Sequence, residues 1–180
     1  DPLSGQLLAR FSSQSYGLNT MPIGDASCVP ASGDFDGDGK ADPALYSAAT
    51  GRMGIWFSGS GYTPFTVPMG GAECANASAD YDGDGLTDPA VYHAPGGILS
   101  VLLSSQSYTP AQFSLALSTS GVQPAPGDYD GDGKADPAIF QPLTGLWLIA
   151  LSGQNYTPAI FNSIAGATLL SRPADYDNDG

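Results

Sequence analysis

The sequence predicts an all-β protein assembled from tandem four-stranded repeats of about 47 residues. Three observations carry that prediction. Gly5, Gly51, Gly97 and Gly145 recur at spacings of 46, 46 and 48 residues, and each is followed eleven residues later by a tyrosine: Tyr16, Tyr62, Tyr108 and Tyr156. The stretch after each glycine alternates, with apolar residues two, four and six places on: Leu7, Ala9, Phe11; Met53, Ile55, Phe57; Leu99, Val101, Leu103; Trp147, Ile149, Leu151. That is the period of a strand with one buried face, and no segment shows the 3.6-residue spacing of a helix. A repeat of this length belongs to propeller blades or to the coils of a stacked β-solenoid-like array.

Each unit is expected to hold four short strands: one before an acidic loop, one opening at Asp-Pro-Ala, one after the register glycine, and one starting near Tyr-Thr-Pro. The units divide as 1–24 (outer strands of a split repeat), 25–71, 72–118, 119–164, and 165–180 (an inner strand and a partial loop). The N-terminus supplies two outer strands and the C-terminus one inner strand. Together they lack a second strand, so the chain is expected to be a window cut from a longer array.

The acidic loop carries the chemistry. It is written in full three times, as DFDGDGKADPA from Asp34, DYDGDGLTDPA from Asp80 and DYDGDGKADPA from Asp128, and in part as DYDNDG from Asp175. Carboxylates stand at loop positions 1, 3, 5 and 9: Asp34, Asp36, Asp38, Asp42; Asp80, Asp82, Asp84, Asp88; Asp128, Asp130, Asp132, Asp136; with Asp175, Asp177 and Asp179 in the fourth. Glycines at positions 4 and 6 let alternate side chains turn toward one centre. Such an oxygen-only set suits a hard cation of six to eight ligands, and the carbonyls of Lys40, Leu86 and Lys134 are the expected position-7 donors. Calcium fits best, because magnesium demands stricter octahedral geometry and zinc or copper would want His or Cys. The loop is not an EF-hand, for it ends at position 9 and a strand follows. An Asp/Gly turn that binds nothing is the alternative, and three copies of one spacing argue against it.

Fifteen of the 18 acidic residues lie in these loops, so the formal charge of −13 is local rather than a general acidic surface. Five scattered basic residues, Arg10, Lys40, Arg52, Lys134 and Arg172, exclude nucleic acid as an expected partner. No apolar stretch approaches the length of a membrane span, and the first residues do not read as a signal peptide. Calcium modules of this kind match millimolar extracellular calcium, which sets the expected compartment as extracellular, cell-surface or periplasmic.

The DxDGDGxxDPA loop between two strands, at this period, resembles the FG-GAP/VCBS-type repeats of integrin α-subunit propellers and of many bacterial secreted and surface proteins. The resemblance runs through the whole chain, with the loop as its specific part. It implies calcium-loaded propeller blades, with the loop aspartates above as ligands. Two departures stand out: the units are shorter than integrin blades, and there are four rather than the usual seven.

Cys28 and Cys74 each lie six residues before the first loop aspartate, and as an extracellular pair at equivalent positions they are expected to form a disulfide. His93, the single histidine, sits at a turn position with no acid/base partner, and the chain has a single glutamate, so no catalytic set is expected. Trp147 is expected in the core; Trp56, on the mixed face, is expected to pack against the adjoining blade, with sugar stacking as the alternative. Asn76-Ala77-Ser78 and Asn155-Tyr156-Thr157 match the N-glycosylation pattern. The leading functional expectation is a non-catalytic, calcium-stabilised module that binds a protein or glycan at the cell surface. Alternatives are a filament or stalk assembling end to end, and a lectin-like carbohydrate binder.

Overall fold

A computed structural model describes residues 6–11, 15, 17–22, 28–117 and 121–162. A hairpin of β1 (Gln6–Phe11) and β2 (Gly17–Pro22) comes first. Three four-stranded antiparallel sheets follow: β3 (Cys28–Pro30), β4 (Ala44–Ser47), β5 (Arg52–Phe57), β6 (Thr63–Pro68); β7 (Cys74–Asn76), β8 (Ala90–His93), β9 (Ile98–Leu103), β10 (Thr109–Ser114); and β11 (Gln123–Pro124), β12 (Ala138–Gln141), β13 (Leu146–Leu151), β14 (Thr157–Asn162). Every strand pairs with its neighbour in sequence, so each sheet is a meander. The expected four strands per unit are all present in these three sheets, with the acidic loop between the first and second. The fold is an array of β-propeller blades.

The register glycine makes the tight hairpin between second and third strands. Gly97 has φ +60°, and a Cβ there would meet Ala116 at 2.8 Å, so both the left-handed backbone and the close approach call for glycine. Its carbonyl accepts the Leu115 amide at 2.7 Å, as that of Gly51 accepts Met69 at 2.8 Å, which folds the end of the outer strand back over the hairpin.

Blades pack face to face. Tyr46, Met53 and Ile55 of the first sheet form a core with Val91 of the second, and Leu102 packs against it. Tyr92, Leu99 and Val101 of the second sheet do the same with Ile139, Leu148 and Ala150 of the third. Each fully buried side chain of this size stabilises by about 1.5–3 kcal/mol. Here the alternation expected from sequence is only half the account. In β13 Leu148 and Ala150 are buried as well as Ile149, because a blade in an array is covered on both faces. Trp147, expected in the core, is only half-buried, with its ring 4.8 Å from that of Phe140 and 6.1 Å from that of Tyr129.

Two of the recurrent tyrosines, Tyr108 and Tyr156, tie blades together at their outer strands. Tyr108 and Tyr156 follow a single 3₁₀ turn and hold φ of 61° and 56°, a strained backbone for a bulky residue. Tyr108 lies 6.2 Å from Phe65 of the preceding blade, and Tyr156 lies 4.7 Å from Phe113. Among the described residues no helix is long and apolar enough to cross a membrane.

Candidate metal centres

The ends of each acidic loop are pinned by an isolated antiparallel bridge: Gly33 with Asp42, Ala79 with Asp88, Gly127 with Asp136. Inside, the position-1 carboxylate organises the turn. Asp34 accepts the amides of Gly37 at 2.7 Å and Gly39 at 2.8 Å. Asp80 does the same with Gly83 and Gly85, and Asp128 with Gly131 and Gly133, at 2.7 to 2.8 Å. Those six glycines hold φ of 77° to 86°, so alternate amides of the loop face the position-1 carboxylate.

Position 9 is the buried anchor. Asp42, Asp88 and Asp136 are 0% exposed. One oxygen of each accepts the amide of the position-2 aromatic, Phe35, Tyr81 or Tyr129, at 2.8 to 2.9 Å. The other accepts the amide of a serine 16 residues on, Ser58, Ser104 or Ser152, at 2.7 Å in all three blades. Burial pushes the carboxyls of Asp88 and Asp136 above the usual carboxylate range, and these amide bonds oppose it. Position 3 reaches the same serine turn, 23 residues away: Asp36 accepts from the Gly59 amide at 2.9 Å, Asp130 from that of Gly153 at 3.0 Å, and Asp82 from the Ser105 hydroxyl at 2.7 Å.

The carboxylate oxygens that converge within 4.8 Å of one another belong to positions 1, 3 and 9: Asp34, Asp36, Asp42; Asp80, Asp82, Asp88; Asp128, Asp130, Asp136. The position-5 aspartates, expected as ligands, are not in these gathered sets. Asp38, Asp84 and Asp132 instead accept the position-7 amides of Lys40, Leu86 and Lys134 at 2.8 to 2.9 Å. Their second oxygens take the Lys40 ammonium at 2.6 Å, the Ser104 hydroxyl at 3.0 Å and the Ser152 hydroxyl at 2.7 Å. Asp175, Asp177 and Asp179 lie outside the described residues.

Three carboxylates this close repel one another, and all the donors are hard oxygens. One of them, Oδ1 of Asp82, is buried with no hydrogen-bond partner in the chain. A buried, unpaired charged oxygen inside an acidic trio is costly unless a cation meets it. The residues therefore fit a hard divalent ion.

The serine turn escaped the sequence reading, although its signal was there: a serine recurs 16 residues after each position-9 aspartate. The Cys28–Cys74 disulfide is a correction, because no disulfide joins them. Cys28 opens β3 and Cys74 opens β7, inner strands of separate sheets. Solenoid stacking would set equivalent residues about 4.8 Å apart, whereas blades packed face to face stand about 10 Å apart. Tyr46 lies beside the Cys74 thiol and donates to the Gly71 carbonyl at 3.1 Å; burial, then Cys74, pushes its hydroxyl up to about 12. His93 closes β8 at the end opposite the acidic loop. Trp56 is half-buried on β5 opposite Pro64. Asn76 accepts from the Ser78 hydroxyl at 2.8 Å, while Asn155 is exposed at its turn.

No protein-family description matches the sequence, and no curated protein does. The fold is similar to a solved structure titled "Streptogramin B lyase structure", with a TM-score of 0.60 at 9% identity. The match covers 91% of this chain and 50% of that one, so the chain spans about half the length of this neighbour. At that identity the likeness speaks for the arrangement of blades alone.

Proposed function

We propose that the protein is a calcium-stabilised, non-catalytic repeat module of the FG-GAP/VCBS type. In this reading it is extracellular and presents its blades to another protein or to a glycan. One observation carries it: three loops of the same sequence gather their carboxylates at positions 1, 3 and 9 in the same way. Calcium would be held by those three aspartates of each loop, while the fourth loop offers positions 1, 3 and 5 as Asp175, Asp177 and Asp179. The position-5 aspartates and the position-7 carbonyls of Lys40, Leu86 and Lys134 complete the donor set. The ion supplies the positive charge that lets the trio stay ionised while Asp42, Asp88 and Asp136 remain buried.

The fold neighbour is named a lyase, and lyase chemistry asks for a positioned base. The side chains that converge here are aspartates occupied by amide donors, and the single histidine stands at the other end of its strand. Binding is the better fit.

Calorimetric melting of the full chain with calcium and with a chelator, together with metal analysis, tests the reading. At a free calcium concentration 100 times the dissociation constant, each site adds about 2.7 kcal/mol. Three sites then rival the whole stability of a small domain. Equal midpoints in the two conditions would end it.

A further inference from the structure

We propose that the three loops take up their ions as a coupled row rather than as independent sites. The inference rests on the calcium reading above and concerns how one site reports to the next. The position-1 aspartate has two jobs at once. Its carboxylate belongs to its own loop, while its backbone carbonyl accepts an amide from the loop of the following blade. Asp34 O accepts the Thr87 amide at 2.6 Å, and Asp80 O accepts the Ala135 amide at 2.6 Å. Thr87 and Ala135 are position 8 of their loops, each one residue before the buried anchor, Asp88 or Asp136. Placing the position-1 carboxylate of one loop therefore also places the chain that carries the anchor of the next.

The same joint is closed by side chains. The position-7 side chain of each following loop covers the position-4 glycine of the loop before it. A Cβ on Gly37 would meet Leu86 at 2.8 Å, and one on Gly83 would meet Lys134 at 3.0 Å. Behind it, a Cβ on Gly33 would overlap the side chain of Thr87. At the second joint the equivalent pair is Ala79 and Ala135, of which Ala135 is buried in the core between blades and Ala79 packs against that core. Gly with Thr at one joint and Ala with Ala at the other keep a similar volume, as a close-packed contact requires. The loops thus share a continuous contact, and an ion that fixes one must bias the order of its neighbours.

The amides of Gly85 and Gly133, one in each of the second and third loops, serve as site-specific reporters in a nuclear magnetic resonance calcium titration of the full chain. Asp36→Asn removes one carboxylate charge from the first loop only. It is expected to weaken calcium at the second loop about fivefold, at the low end of ordinary coupling, and to speed hydrogen exchange at the Thr87 amide. Gly33→Ala leaves every carboxylate and the backbone bridge to Asp42 in place and is expected to do the same by wedging its new Cβ into Thr87. Gly33→Ala with Thr87→Ala copies the pair found at the second joint and is expected to restore wild-type affinity, which also separates a broken joint from general misfolding. If Gly85 titrates identically in wild type, Asp36→Asn and Gly33→Ala, coupling is overturned while the calcium reading stands. If neither reporter responds to calcium in the wild type, both fall.

Discussion

The loop row and the apolar faces between blades both run from repeat to repeat, and they treat sequence differently. Across the three blades the face positions read Tyr46, Tyr92, Phe140, then Met53, Leu99, Trp147, then Ile55, Val101, Ile149. The loops, over the same distance, repeat DxDGDGxxDPA almost letter for letter. Apolar packing is non-directional, so volume can be redistributed among neighbours at small cost. A shell of oxygens around one point is directional. Each carboxylate here also answers to amides at fixed separations of 3, 5, 7, 16 and 23 residues, and moving one ligand breaks several bonds. The faces thus drive burial, while the loops, joined through Asp34 O to Thr87 and Asp80 O to Ala135, set the offset of each blade from the last.

Substitutions in the two regions should answer calcium oppositely, and this is the largest expected effect. Leu99→Ala opens a cavity in a fully buried site and should cost about 2–5 kcal/mol, with or without calcium. Asp88→Ala strands the Tyr81 and Ser104 amides and removes a gathered carboxylate. Its cost should be far larger in calcium than in chelator. Denaturant titrations in both conditions give the four numbers, and equal calcium dependence of the two variants would erase the distinction.

Acidity separates the regions next. Burial holds the carboxyls of Asp88 and Asp136 above the ordinary value of 3.8. A raised folded value means that these groups contribute stability in full below 3.8 and lose it as pH rises through the folded value, when calcium is absent. Calcium needs the ionised form, so its affinity falls as pH drops through the same window. The gap in melting midpoint between calcium and chelator should therefore narrow on mild acidification. A gap that stays constant down to the ordinary carboxylate value would show that these two anchors do not govern binding.

How much of this was legible in the sequence follows the same divide. The loops could be read residue by residue, because identity at fixed spacing is visible without knowing what surrounds it. Four strands per unit could be read from the glycines and from alternation. What could not be read was set by other parts of the chain. Trp147 and Leu148 exchange their expected burial because the neighbouring blade, not the strand, decides which face is covered. Spacing placed the position-5 aspartates among the ligands but could not show that their oxygens also meet amides two residues on and, in the second and third loops, hydroxyls 20 residues on. The Cys28–Cys74 pairing rested on equivalent positions and an oxidising compartment, and neither tells how far apart face-to-face blades hold those positions.

The serine turn offers a smaller effect within the loop row. Ser104 and Ser152 donate hydroxyl bonds to Asp84 and Asp132, whereas the buried Ser58 hydroxyl lies near Asp38 without a hydrogen bond of ordinary geometry to it. Ser104→Ala and Ser152→Ala should each cost about 0.5–1.5 kcal/mol, and Ser58→Ala less than either. Thermal melts of the three variants give the order, and a larger loss at Ser58 would reverse the account of what that hydroxyl does.

The smallest effect comes from the residue that makes the first loop unlike the second. Lys40 places its ammonium 2.6 Å from Asp38, and this hydrogen bond, ahead of any other cause, holds the Asp38 carboxyl below the usual range. The equivalent position in the second loop is Leu86, whose side chain lies over Gly37 and brings no charge. Lys40 is thus a tethered cation beside the proposed calcium site, and under that proposal it is displaced or repelled when the ion arrives. Its side chain is 69% exposed, so water and salt screen most of the competition and the gain from removing it is only a few-fold. Lys40→Leu should tighten calcium at the first loop, more at low ionic strength than at high, because screening already weakens the lysine in salt. Titrations of wild type and variant at two salt concentrations separate the cases: a gain that shrinks with salt identifies competition by charge, and weaker binding in the variant would mean that the lysine shapes the loop instead of contesting it.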